Sequence, residues 1–316
     1  MSRTPFSNPK LKIVLLGGGG FVGYNIAKSL QKEYEIIIVD MSPPINSDIT
    51  KFSRYIIGSI TNLNFLQETF DSLSPISSVI HLASIGMSGG SMLEQSTFKL
   101  NVQGTQYVIN ACLTNNVSNL IYISTYNVVF GGQPIHQGDE TAPVFPVEKH
   151  TDKYSASKAV AELMVLAANG KKLKTCALRP AAIYGEGEQR HIPRILTHVD
   201  GGLFMFRIGK AIVDWIHVDN LTHAIDVTIK KMVSPECDST KSPCGKPYFI
   251  SDGTPIDNFE FLKSLCEARL CTYPKLVLPT FLFIILGKIL EKIYHNFKLF
   301  SIRFDPFLTQ AEVMKV

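Results

Sequence analysis

Tyr154 and Lys158 stand four residues apart, a spacing that puts a phenol and an ammonium on one face of a helix. At a separation of about 5 Å and an effective dielectric of about 20, attraction to the phenolate is about 3 kcal/mol. That corresponds to about two pKa units, enough to draw a tyrosine from about 10 toward a working pH. Such a pair can take the proton of a secondary alcohol, or return it to a ketone. The spacing alone is common, since Tyr24/Lys28 and Tyr294/Lys298 share it. Tyr24 falls in a helix behind a glycine turn and Tyr294 follows an apolar stretch, whereas Tyr154 follows a strand ending in the hydroxyls of Ser124 and Thr125. Either hydroxyl can hold a substrate oxygen beside the phenol; Thr125 is preferred, with Ser124 as the alternative.

Proton transfer of this kind is paired with hydride transfer, and the N-terminal sequence offers a seat for a hydride carrier. A short apolar run opens into Gly17-Gly18-Gly19-Gly20-Phe21-Val22-Gly23, after which a helix is expected to about residue 32. Gly17, Gly20 and Gly23 allow a tight turn and close backbone approach to a pyrophosphate, and the helix start at Phe21 and Val22 turns its free N–H groups toward the anion. The next apolar run ends at Asp40, about 20 residues beyond the glycines, where a carboxylate accepts hydrogen bonds from the adenosine ribose. An acid there repels a 2′-phosphate, so NAD is expected rather than NADP. The competing reading is that Asp40 merely ends a strand.

These groups need a sheet to present them. Apolar runs at 12–16, 35–39, 55–58, 79–82, 120–124 and 175–179 alternate with helix-length amphipathic stretches, the pattern of parallel strands joined by crossover helices. The expected fold is α/β, a Rossmann-type doubly wound parallel sheet over 1–179, with a smaller substrate lobe at 180–316 interleaved with it. A chain of 316 residues, 45% hydrophobic and 18% charged, is globular. Its charge of +4 is scattered, with no basic block to follow a nucleic acid. Six cysteines without a C-x-x-C pair suggest free thiols and no metal, Cys237 and Cys244 being the one pair that invites a disulfide or a ligand set. The first apolar run reads as a buried strand rather than a signal peptide. The uncharged apolar run at 276–287, expected to form one helix continuing through 288–292, has 12 residues, short of the roughly 20 that span a bilayer. Packing is preferred for it, with contact between a membrane surface and 276–297 as the alternative.

Taken together, the three glycines, Asp40, His81-Leu82-Ala83-Ser84, Asn101-Val102-Gln103-Gly104-Thr105, Ser124-Thr125, Tyr154-x-x-x-Lys158 and Arg179-Pro180-Ala181 resemble the extended short-chain dehydrogenase/reductases. More narrowly, Asn127 to Gly132, Tyr184 to His191, His217-Val218-Asp219-Asn220 and Tyr248 to Gly253 resemble the 3β-hydroxysteroid dehydrogenase/isomerase group, with family 42E the nearest branch. The resemblance implies that Tyr154 is the proton-transfer residue, that Lys158 holds the nicotinamide ribose and lowers the phenol's pKa, and that Thr125 positions substrate. It further implies cofactor contacts at Ser59 and Ile60, at Leu82, Ala83 and Ser84, at Asn101 and at Pro180. Where the family has Gly-Asp after the third strand, this chain has Gly58-Ser59. Similar proteins also continue past the stretch Pro306-Phe307-Leu308-Thr309, which raises the expectation of a truncated substrate lobe.

The implied activity is NAD-dependent oxidation of a hydrophobic secondary alcohol, foremost a 3β-hydroxysteroid or sterol, in steroid biosynthesis. Two alternatives stand beside it: a nucleotide-sugar epimerase or dehydratase, with Arg190, Arg194 and Arg207 gripping a diphosphate, and a catalytically silent NAD-binding scaffold. An intracellular protein on the cytoplasmic side, associated with the endoplasmic reticulum and able to dimerise, is the expected setting. His81 is expected to position backbone beside the cofactor. Asn101 either supports a site water or packs, and His217 and Asp219 form a turn with Asp219 capping the next helix. Arg190 and Arg194 meet an anionic substrate or only solvent.

Overall fold

Aliphatic runs bounded by glycine and polar residues form the strands of the computed structural model, which describes residues 10–201, 206–235, 242–269, 271–300, 302 and 304–315. The first six strands are β1 (Lys12–Leu16), β2 (Glu35–Asp40), β3 (Arg54–Ile57), β4 (Ser78–His81), β5 (Asn119–Ile123) and β6 (Lys174–Pro180), each within one residue of its expected bounds. Between them run α1 (Phe21–Leu30), α2 (Leu63–Leu73), α3 (Ser96–Phe98), which continues through a π-helical turn at Lys99–Gly104 into α4 (Thr105–Thr114), and α5 (Lys153–Ala167). Beyond Pro180 come β7 (Ala182–Tyr184), α6 (His191–Asp200), β8 (Arg207–Ile208), β9 (Ile212–Val213), β10 (Trp215–His217), α7 (Val218–Val233) and β11 (Pro247–Ile250). The rest comprises β12 (Ile256–Asp257), α8 (Asn258–Phe261), α9 (Lys263–Ala268), β13 (Val277–Leu278), α10 (Thr280–Leu299) and α11 (Gln310–Met314).

The main sheet has seven strands in the order β11-β6-β5-β4-β1-β2-β3, every pairing parallel. Alternate side chains explain why both faces are covered. Ile13, Leu15, Ile36 and Ile38 pack with Ile26 and Leu30 of α1 and with Leu221, Ile225 and Ile229 of α7. Val14, Leu16, Ile37 and Val39 pack with Leu66 and Phe70 of α2, Val108 of α4, and Ala161 and Val165 of α5. Each large aliphatic side chain fully buried in these layers contributes about 1.5–3 kcal/mol. The chain order reverses between β1 and β4, so a crevice opens at their carboxyl ends, where open α/β sheets bind ligands.

The edge strand β11 and the covering helix α7 both come from beyond residue 180, so the later part of the chain interleaves with the sheet. Short strand pairs, β10 with β7, β12 with β9 and β13 with β8, build the rest of that part. Trp215 stacks on Phe261 with ring centroids 3.9 Å apart, and Tyr184 meets both edge-on. Two local expectations are corrected. The apolar run at 276–287 is not one helix: Val277–Leu278 pairs with β8, and α10 begins only at Thr280, after Pro279. Helix α7 is capped by His217, whose Nδ1 accepts from the Asp219 N–H at 3.3 Å, and not by Asp219. Among the described residues no helix is long and apolar enough to cross a membrane. Cys112, Cys176, Cys266 and Cys271 are free thiols, while Cys237, and with it the Cys237/Cys244 pair, lies outside the described residues.

Candidate active site

The glycine turn follows β1 directly. Gly17 has φ +79° and lies so close to the loop after β4 that an added methyl group would fall 2.4 Å from Ala83 Cα. Leu82 and Ala83 both donate their N–H to the Leu16 carbonyl at 2.8 Å, fixing the segment Leu82–Ser84 against the turn. Gly23 brings α1 onto the same turn, where a methyl group would fall 2.3 Å from Gly18 Cα. Gly20, the N-cap of α1, differs: nothing lies within 4 Å of the methyl it lacks. Open space at the N-cap is what a pyrophosphate needs to reach the N–H groups of a helix's first turn.

Asp40, at the end of β2, faces the glycine turn. Its Oδ2 accepts from the Gly19 N–H at 3.0 Å and its Oδ1 from the Ser42 N–H at 3.1 Å, leaving lone pairs for ribose hydroxyls. Tyr55, which sequence reasoning passed over, donates to the Ser42 carbonyl at 2.7 Å, and burial followed by the Asp40 charge pushes its pKa to about 12. At the end of β3 the Ser59 hydroxyl is bonded to Thr61 Oγ1 at 2.8 Å and Ile60 is buried. Gly58 donates to the Asp40 carbonyl at 2.8 Å, placing Ser59 next to the acid. These residues fit an adenine dinucleotide.

Helix α5 starts where Asp152 caps it, Oδ1 accepting from the Ser155 N–H at 2.6 Å. Its alanine-rich, narrow face lets it lie on the sheet, with Tyr154 and Lys158 both buried. Tyr154 packs against the loop after β4: a methyl group on Gly86 would stand 3.5 Å from Tyr154 Cβ. Lys158 reaches the end of β5, donating to the Ile123 carbonyl at 2.5 Å with its Nζ 4.1 Å from the Tyr122 ring centroid. Beside it the buried Ser124 hydroxyl has no hydrogen-bond partner among the described residues, whereas Thr125 Oγ1 accepts from the Asn127 N–H at 3.3 Å. Pro180, buried at the end of β6, pairs with Ile250 of β11.

The electrostatics correct one expectation. Burial raises the Tyr154 pKa, and the cation opposing that rise is Arg190, not Lys158. The reason is direction: the Lys158 ammonium points into the sheet end. There burial lowers its pKa to about 7, against the pull of Glu162. Burial, and then the Lys158 charge, lower the His81 pKa to about 3. Thr105 donates its hydroxyl to the Asn101 carbonyl at 2.6 Å, so at 2.8 Å it accepts from His81 Nε2, which fixes a neutral Nε2–H tautomer. His81 is thus a structural residue behind the site. Asn101 is buried as well and holds backbone beside the site. Its amide holds both the N–H and the carbonyl of Ile85 at 2.9 and 3.0 Å, and donates to Ser157 Oγ at 2.9 Å.

Sequence reasoning missed Glu162, although it lies four residues beyond Lys158 on the same face. Arg179 donates to it three times, at 3.1, 3.1 and 2.6 Å, in a fully buried pair that fastens α5 to β6. It also missed Asp252, which gathers the Tyr184 hydroxyl at 2.9 Å, the Asn220 amide at 2.8 Å and the His217 N–H at 3.1 Å. The rival tyrosine–lysine pairs serve elsewhere: Tyr294 and Lys298 both bind Glu94, and Tyr24 packs on Phe52. Of the three arginines weighed for a diphosphate, Arg207 pairs with Asp257 at 2.6 Å and Arg194 with Glu312 at 3.1 Å. Arg190 donates to Met87 Sδ at 3.0 Å, on the Tyr154 side.

A doubly wound parallel sheet, a glycine cradle at its switch point and a buried tyrosine–lysine helix beside it define an oxidoreductase of the extended short-chain dehydrogenase/reductase class. Solved structures share this fold. A UDP-glucose 4-epimerase with UDP-glucose from Thermotoga maritima matches with TM-score 0.69 and 19% identity, over 85% of this chain and 86% of its own. A dTDP-glucose 4,6-dehydratase from Streptomyces venezuelae matches with TM-score 0.69 and 20% identity, over 85% and 84%. The chain belongs to the 3-beta hydroxysteroid dehydrogenase/isomerase family, whose model matches residues 14–279. It is 39% identical to short-chain dehydrogenase/reductase family 42E member 1 of Macaca fascicularis, over 98% of this chain and 80% of that protein. A 3-beta-hydroxysteroid dehydrogenase of Mycolicibacterium neoaurum is 31% identical over 81% of this chain and 70% of its own length.

Proposed function

We propose that the protein is an NAD-dependent 3β-hydroxysteroid or sterol dehydrogenase, with Tyr154 transferring the proton. The observation that carries this is the convergence of one helix face on two strand ends. Tyr154 lies against the loop after β4, and Lys158 lies at Ile123, next to the orphaned hydroxyl of Ser124. NAD supplies the hydride acceptor. Gly17, Gly20, Phe21, Val22 and Gly23 hold its pyrophosphate, Asp40 its adenosine ribose, Ser59 and Ile60 its adenine side, and Leu82, Ala83, Ser84 and Pro180 its nicotinamide end. Ser124 and Thr125 hold the substrate oxygen, and the orphaned state of Ser124 moves the first claim from Thr125 to Ser124. The buried phenol is set to give its proton to a ketone; for alcohol oxidation it must first lose that proton, which Arg190 favours.

A greasy substrate is supported over a nucleotide sugar because Arg194 and Arg207 are already paired with carboxylates, which leaves Arg190 alone of the three arginines weighed for a diphosphate. The test follows NADH formation with a panel of 3β-hydroxysteroids, sterols and UDP-sugars, alongside NAD binding. Turnover of a steroid by the wild type, abolished in Tyr154→Phe with NAD binding retained, supports the reading. Tight NAD binding with no turnover supports the silent scaffold, and turnover of a UDP-sugar supports the epimerase.

The exposed row Phe281, Ile285 and Ile289 on α10, flanked by exposed Lys288 and Lys292, supports a further part of the proposal: contact with an anionic lipid surface. An intracellular place on the cytoplasmic face of the endoplasmic reticulum rests on that part. Dimerisation is proposed as well, and the same purified protein tests it by light scattering. Sedimentation with phosphatidylserine vesicles tests the lipid contact; no sedimentation at low salt rejects it.

A further inference from the structure

Residues 304–315 do not trail from the fold. Thr309, Ala311 and Val313 are fully buried, and the segment is tied to the loop after β4, to α6 and to the head of α5. Asp305 accepts from the Gly90 N–H at 2.7 Å and Glu312 from the Gly89 N–H at 3.1 Å, both in the loop after β4. Arg194 of α6 pairs with Glu312 and donates to the carbonyls of Pro306 and Phe307, each at 3.1 Å. At the end of the segment Lys315 donates to Asp152 Oδ2 at 2.8 Å and to Ser155 Oγ at 3.2 Å. The Asp152 side chain is fully buried and caps α5 two residues before Tyr154.

We propose that Lys315 is a positioning residue for proton transfer at Tyr154: its ammonium neutralises the Asp152 carboxylate at the head of α5 and so sets how tightly the phenol holds its proton. A buried carboxylate without a cation disfavours a second negative charge nearby, and a phenolate is such a charge. Asp152 is one of the groups that raise the Tyr154 pKa, after burial. The other groups facing the phenol are Arg190, from the loop before α6, Tyr126, from the turn after β5, and Tyr122 of β5, with Lys158 on the same helix face. Those facing Asp152 are Lys315, His150 and Glu291 of α10. Of these Lys315 is the cation bonded to the carboxylate, so its loss exposes the phenol to an uncompensated charge.

This inference rests on Tyr154 being the proton-transfer residue. The experiment uses the full chain with NAD and dehydroepiandrosterone as the 3β-hydroxysteroid, and reads the pH dependence of kcat. Ultraviolet difference titration of the NAD complex, wild type minus Tyr154→Phe, reads the same phenol without turnover. Lys315→Gln is expected to move the midpoint up by about half to one pH unit. Asp152→Asn, which caps a helix equally well, is expected to move it down. The double variant returns to the wild-type midpoint, and Lys315→Arg keeps it. An unmoved midpoint in Lys315→Gln, whatever happens to kcat or Tm, reduces the ion pair to a tether and overturns the inference. If instead Tyr154→Phe keeps its turnover, the assignment of Tyr154 fails and the inference falls with it.

Discussion

One added methyl group can separate the cofactor cradle from the scaffold beneath it. In Gly23→Ala the methyl meets backbone, 2.3 Å from both the Cα and the carbonyl oxygen of Gly18, so α1 or the turn must shift. Overpacking of that kind costs about 1–3 kcal/mol, and the protein should melt several degrees lower. In Gly20→Ala the methyl meets nothing within 4 Å, and the backbone at φ −94° and ψ −171° suits any L-residue. Exchanging glycine for alanine at an N-cap costs about 1 kcal/mol or less, so stability without cofactor should barely change. The new methyl stands where a pyrophosphate must approach the helix N-terminus, and NAD affinity should fall at least about tenfold, which is about 1.4 kcal/mol. Melting curves of the cofactor-free protein and calorimetric titration with NAD read the two effects separately. Wild-type NAD affinity in Gly20→Ala would refute the placement of the pyrophosphate over that residue.

Replacing the acid at the end of β2 should invert cofactor choice: Asp40→Arg is expected to bind NADP more tightly than NAD, and an unchanged order of Kd values would remove the ribose assignment. Glu162→Gln leaves the Arg179 charge buried without its carboxylate and should cost about 3–5 kcal/mol of stability. Adding Arg179→Met should restore most of that in denaturant titrations, and a double variant as weak as the single one contradicts the explanation. His81 and Lys158 both have folded-state pKa values below their ordinary ones, so in each case the unfolded chain binds the extra proton and stability rises with pH. For His81 that window runs from about 3 to 6.5, and for Lys158 from about 7 to 10.5. Stability measured against pH should lose its acid slope in His81→Gln and its alkaline slope in Lys158→Met; slopes that persist would show that other groups are responsible.

The glycine turn, Asp40, the six leading strands and the helix bearing Tyr154 and Lys158 were legible because each is a local pattern, set by periodicity or by the backbone freedom a turn requires. What stayed hidden depends on partners distant in the chain or on side-chain direction. Tyr248 to Ile250 reads as any short apolar run, and only its pairing with β6 makes it the edge of the sheet. Four-residue spacing puts Lys158 on the face of Tyr154, yet it does not say that the ammonium turns to Ile123. Asn101 looked equally suited to water and to packing until its amide was found gripping the backbone of Ile85. Pro279 was a readable signal for the start of α10, but the apolar run on both sides of it outweighed the break. The tie between Lys315 and Asp152 joins residues 163 positions apart, beyond the reach of any local rule.

Because the seventh strand is residues 247–250, the outermost groove of the sheet stays open until most of the polypeptide has left the ribosome. Until then β6 exposes an unpaired strand edge, a ready template for sticking to other nascent chains. A fragment cut at the apparent lobe junction, near residue 180, would keep the cofactor motifs and still carry that raw edge. Such a fragment should aggregate rather than persist as a miniature dinucleotide binder, which makes late synthesis the stage at which chaperones matter most to this protein.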